Sequence, residues 1–177
     1  MQMLSLHGIQ LGATGAGAVG PLLSQLVSLR HLDVSRNGIG GDGIAALEPH
    51  MAQATSLRSL NLSDNRIGAE GARILGQSFS FLAALSCLQL SNNGIGSKGA
   101  KAVVPSLAGL LDLQVLDLSA NSIGDKGVRA MQPYLARMVA LRDLSLGGNQ
   151  IGESLLGFSN VKKKLKKKLL FVENLQL

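Results

Sequence analysis

The sequence predicts a curved α/β solenoid, a stack of strand-plus-helix units with parallel strands on one side and helices on the other. Three observations carry that expectation. A skeleton of apolar residues, one Asn and one Gly returns every 28 residues, and a fixed period in this range marks a stacked array. Within each unit the first half alternates apolar and polar residues as a strand does, while the second half spaces apolar residues three and four apart, as one helical stripe does. Aromatics are only 3% of the 177 residues and Trp is absent, so Leu, Ile, Val and Ala must fill the core.

The strand element reads most plainly in Leu57-Arg58-Ser59-Leu60-Asn61-Leu62. Period-two alternation points Leu60 and Leu62 inward and Ser59, Asn61 and Ser63 outward. Units begin near residues 1, 29, 57, 85, 113 and 141, and the phrase restarts at Val172, Leu175 and Leu177. The first copy is weaker, with Ile9 where the others place Asn37, Asn65, Asn93, Asn121 and Asn149. Those Asn residues sit where the chain leaves the strand. A buried turn strands backbone N–H and C=O groups, and an amide side chain both donates and accepts. Stacked once per unit, they should form an asparagine ladder. Asn37-Gly38 spells a hairpin turn by letter, but Asn65-Arg66 fills the same slot without Gly, so the hairpin reading fails.

The helical element follows Gly40, Gly68, Gly96 and Gly124. Its stripes are Ile44, Leu47, Met51, Ala54; Ala72, Leu75, Phe79, Leu82; Ala100, Val103, Leu107, Leu110; and Val128, Met131, Leu135, Met138. Asp42 and Asp125 suit helix starts. Pro21, Pro49, Pro105 and Pro133 share one column, and because proline removes an intrahelical hydrogen bond a kinked or split helix is expected.

Strand, then helix, with Asn-x-Ile-Gly-x-x-Gly-Ala at the join, resembles the ribonuclease-inhibitor-like class of leucine-rich repeats. The wording is similar to that of cytosolic nucleotide-binding immune-type receptors and Ran GTPase-activating proteins. The resemblance covers residues 1–152 and implies a leucine-rich repeat solenoid, or horseshoe, with strands on the concave face and helices on the convex face. It implies non-catalytic protein recognition, with a Ran-type GTPase activator as the rival; no residue here matches a catalytic arginine. Every residue carrying the likeness is a core or turn residue, so it bears on fold far more than on task.

Residues 1–177 are read as one domain, and the absence of a polar cap at either end leads us to expect a fragment of a longer array. The single Cys87 rules out an intrachain disulfide. With no apolar run of membrane-spanning length and no secretory-type N-terminus, a cytoplasmic location is expected, with the nucleus as the alternative. Of the net charge of +6, residues 153–177 hold six lysines against Glu153 and Glu173.

Chemistry-bearing patterns read as scaffold. Gly15-Ala16-Gly17-Ala18-Val19-Gly20 spells the dinucleotide-binding phrase, yet that motif needs its first Gly directly after a strand, and Gly15 falls in the column of Gly43 and Gly71. His31 and Cys87 lie two repeats apart, roughly 10 Å at sheet spacing. Asp33 and Asp117 lie three apart, and His7, His31 and His50 lack metal-ligand spacing. No catalytic residue, cofactor, metal or small-molecule substrate is expected.

The candidate site is therefore the outward strand face, a docking surface for a protein of unknown identity: Arg30, His31, Asp33, Arg36, Arg58, Asn61, Asp64, Gln89, Asn92, Asp117 and Asp143. Acids and bases mixed across it suit a polar protein contact better than nucleic acid. The competing reading is a solvated sheet face of small polar residues, since arginine is its one anchor-type residue. A second candidate is the basic segment Lys162, Lys163, Lys164, Lys166, Lys167 and Lys168. It suits nuclear import, an anionic membrane or nucleic acid, against the plainer reading of a solvated helix face.

Overall fold

The computed structural model describes residues 1–152 and 174–176. The elements in order are β1 (Met3–Ser5), α1 (Gly12–Gln25), β2 (His31–Asp33), α2 (Gly40–Met51), β3 (Ser59–Asn61), α3 (Gly68–Phe79), β4 (Cys87–Gln89), α4 (Gly96–Leu107), β5 (Val115–Asp117), α5 (Gly124–Leu135), β6 (Asp143–Ser145) and β7 (Asn174–Gln176). The strands form one parallel sheet in chain order. Sheet strands sit about 4.8 Å apart and packed helices about 8–10 Å apart, so the stack bends with its strands on the inner, concave side.

Register makes the repeat physical. The central position of every strand is leucine: Leu4, Leu32, Leu60, Leu88, Leu116, Leu144 and Leu175 align in one ladder. Leu60, Leu88, Leu116 and Leu144 are fully buried. Leu62 and Leu90, just past their strands, are equally buried, as are Ile95 just before α4 and Val103 and Leu107 within it. The core is thus a continuous strip between sheet and helices.

The asparagine ladder forms as expected. Asn93 Nδ2 donates to Leu90 O and Ser91 O of its own turn and to Leu62 O of the preceding repeat. Its Oδ1 accepts from Asn65 N–H at 2.9 Å and Ile67 N–H at 3.4 Å. Each Asn therefore ties its turn to the one before. Although Ile9 interrupts the column, Leu11 N–H still donates to Asn37 Oδ1, as Ile39 N–H does to Asn65 Oδ1.

The turn requires left-handed backbone at three points per repeat: Asp64, Arg66 and Gly68 in the third, Asn92, Gly94 and Gly96 in the fourth. Only the last of these slots is always Gly among the left-handed residues.

The glycines at 43, 71, 99 and 127 have a different task. A Cβ on Gly99 would lie 2.9 Å from Ala69 Cα and 2.7 Å from Ile95 Cγ2. These glycines let consecutive helix starts touch backbone to backbone.

Two expectations need correction. The prolines do not split their helices: α2, α4 and α5 each run unbroken for 12 residues with Pro49, Pro105 or Pro133 inside. In these three helices proline sits third from the end, so the one intrahelical hydrogen bond it removes belongs to the last turn and little helix follows to be disturbed; Pro21 likewise lies inside an unbroken α1. And Ala54, Leu82, Leu110 and Met138 lie beyond the helix ends, in the turns leading to the next strand, where they are buried. Lys162–Lys168 lie outside the described residues, as does most of the restarting phrase; within it, Leu175 pairs with Leu144.

Candidate functional site

The two columns flanking the leucine ladder vary from repeat to repeat. One runs Met3, His31, Ser59, Cys87, Val115, Asp143 and the other Ser5, Asp33, Asn61, Gln89, Asp117, Ser145. The inward ladder builds the fold, so the outward columns are free to differ.

The structure divides the sequence-nominated residues between two places. His31, Asp33, Asn61 and Gln89 line one open depression of about 300 Å³ on the strand face, with Ser59. Arg36 and Asp64 line a second, of about 450 Å³, at the turn edge together with Gln10 and Arg66. Arg36 Nε lies 3.7 Å from Asp64 Oδ2, and Asn92 Nδ2 donates to Asp64 Oδ1 at 2.5 Å. Arg30 and Arg58 are exposed at the entries to β2 and β3. Their carbonyls accept from the next repeat, Arg58 N–H on Arg30 O and Cys87 N–H on Arg58 O. Asp117 and Asp143 lie further along the same face, half-buried.

Several of these side chains are partly committed to the fold. Asp33 Oδ1 accepts from Ser35 N–H at 2.9 Å and from its hydroxyl at 2.5 Å. Asp117 repeats this with Ser119 at 2.9 and 2.6 Å, and Asn61 Oδ1 accepts from Ser63 N–H. Each caps the chain as it leaves its strand, a role the spacing x-Asp-x-Ser signals through the usual side-chain to backbone bond two residues on. Ser35 spends its one proton on Asp33, so His7 Nδ1, 2.8 Å away, is the donor in that pair.

Cys87 faces the same surface, half-buried. Burial pushes its thiol above the ordinary range, a hydrogen bond with Ser59 pulls partly back, and the Asp117 carboxylate adds to the rise. It is a poor nucleophile at neutral pH. In the ladder Ser59 stands between His31 and Cys87, so the two do not form a dyad. Gly15, Gly17 and Gly20 lie inside α1 rather than in a strand-to-helix loop, so no phosphate loop is built there. Among the described residues no cluster of three or more His, Cys, Asp or Glu could hold a metal ion. No helix among them is long and apolar enough to cross a membrane.

Sequence reading missed Arg66 and Gln10. Both occupy the slot just after the Asn column, which Gly38 and Gly94 made look like mere turn punctuation. A long polar side chain tolerated at a left-handed position was the available signal.

A family model described as Leucine Rich repeat matches residues 25–47, 53–75, 84–104 and 111–131. Among solved structures, the tropomodulin C-terminal domain of Caenorhabditis elegans is similar, with a TM-score of 0.64, 13% identity, and 78% of this chain and 84% of that chain covered. Leiomodin-1 Actin-Binding Site 2 is similar with a TM-score of 0.65, 14% identity, and 78% and 80% covered. At these identities the likeness is one of fold. No curated protein sequence matches the chain.

Proposed function

Because the chain is a leucine-rich repeat protein, we propose that it is a non-catalytic scaffold that docks a protein partner on its concave strand face. One observation carries the reading: two register-locked columns of varied side chains stand on an unvarying leucine ladder. The strand backbone is hydrogen-bonded in register on both sides, which limits the backbone ordering that binding would cost, and His31, Arg58 and Gln89 are spared the capping duties that occupy Asp33, Asn61 and Asp117.

The test is quantitative affinity capture with two baits, the natural chain and a His31→Ala/Arg58→Ala/Gln89→Ala variant. At least one protein should be depleted about tenfold from the variant, a loss of roughly 1.4 kcal/mol. If every captured protein is retained equally, the strand face is not the docking surface. Actin belongs among the defined probes, since leiomodin-1, similar in fold, is named for an actin-binding site.

A further inference from the structure

We infer that the convex surface of α4 and α5 is a second docking site, one that holds an acidic segment of a partner protein through Lys98, Lys101, Lys126 and Arg129. The inference does not depend on what the strand face binds.

The observation is a reversal of charge along one column. The third residue of the helix is the neutral Thr14 in α1, then Asp42 in α2, Glu70 in α3, Lys98 in α4 and Lys126 in α5. Acids belong there, because the helix start carries partial positive charge. Lys98 and Lys126 stand against that field. Three residues further on, along the same helix face, come Arg73, Lys101 and Arg129. In α3 the two positions neutralise each other: Arg73 Nε donates to both Glu70 oxygens at 3.0 Å, and its Nη2 donates to Oε1 at 2.6 Å. In α4 and α5 both positions are cationic and exposed. Among the described residues, none of these four cations has an ion pair.

The fold then brings the two helix starts together. A Cβ on Gly127 would lie 3.2 Å from Ser97 Cα, so the backbone segments bearing Lys126 and Lys98 are in contact. The neighbouring Asp125 carboxylate is turned to the next repeat, accepting from Gly152 N–H at 3.1 Å. Four exposed cations thus stand on two helices whose starts touch, with Lys98 and Lys126 in the first turns, where the helix dipole also favours an anion. An anion placed over them is attracted by the cations and by the dipoles.

The size and borders of the patch choose the anion. Two adjacent helices span about 10 Å, the length of about three extended residues. On the α3 side the Glu70–Arg73 pair ends the run of unpaired cations, and beyond it Asp42 would repel a broad phosphate sheet or duplex while leaving room for a short carboxylate-rich stretch. None of the large exposed apolar side chains belongs to α4 or α5, so nothing there inserts into a bilayer or stacks on bases.

The test uses the full chain and fluorescein-labelled decaglutamate, read by anisotropy at about 50 mM salt, where exposed charges are weakly screened. Replacing Lys98, Lys101, Lys126 and Arg129 by Gln should weaken binding at least about tenfold, with circular dichroism unchanged. A control with Lys162–Lys168 replaced by Gln should retain most of it. Lys98→Glu/Lys126→Glu copies the α3 arrangement; it should raise the melting temperature while removing binding. The proposal is overturned if decaglutamate binding survives the four-residue change, or follows the Lys162–Lys168 change alone. It is equally overturned if that four-residue change abolishes binding to phosphatidylserine vesicles or single-stranded DNA and leaves decaglutamate binding intact.

Discussion

Asn93 shows how much of this molecule rests on single side chains. Its amide satisfies three carbonyls and two N–H groups, all in buried turns. Asn93→Ala should cost on the order of 3 kcal/mol, because several buried backbone groups lose partners at once. Equilibrium denaturant unfolding measures it. Its neighbour Asn92 is the contrast: exposed, left-handed, and with its side-chain amide donating to Asp64 at the surface. Asn92→Gly should change stability by less than about 0.5 kcal/mol. Cys87 gives a pH signature. A folded-state thiol raised by burial stays protonated longer, so the stability it contributes is present below the unfolded thiol value and is lost as pH rises through the folded one. Alkylation should accelerate with a midpoint above about 8.5, the ordinary thiol value. The ladder was legible because Asn is the one residue type that returns at that slot. The capping by Asp33 and Asp117 went unread because an acidic residue on an outward strand position looks the same whether it faces a partner or its own backbone.

The elements were legible where their residues recur and obscure where the reason lay between elements. The period marked Gly71, Gly99 and Gly127, but nothing in one repeat says that its glycine must admit the previous helix. Gly99→Ala should destabilise by about 1–3 kcal/mol through overpacking against Ala69 and Ile95. The proline column was visible and misplaced, because the stripe continues through buried turn residues beyond the helix end and makes the helix look longer. α3 carries Gln77 in that column. Gln77→Pro should therefore cost less than about 1 kcal/mol by thermal unfolding, not the ~3 kcal/mol of a helix interior. Lys98→Glu should add roughly 0.3–1 kcal/mol by suiting the helix start. A gain in stability accompanied by loss of decaglutamate binding is the outcome the second docking site predicts.

At the scale of the whole molecule the sequence states its architecture six times over, with the leucine ladder as refrain. Each unit leans only on its neighbours, so Leu88→Ala at the centre should cost about 2–5 kcal/mol by leaving a cavity between two strands. The partner goes unstated for the same reason that the fold is plain. Every recurring residue is a core or turn residue, and the outward columns, proposed to meet the partner, do not recur. The strand-face account is most directly tested at Cys87, the single thiol and a member of one outward column. Its alkylation rate should be measured with and without the protein that the capture experiment returns. The account expects at least about fivefold slower alkylation when the partner is bound, as contact excludes reagent from a buried surface. An unchanged rate with the partner bound would place the contact elsewhere and contradict the account.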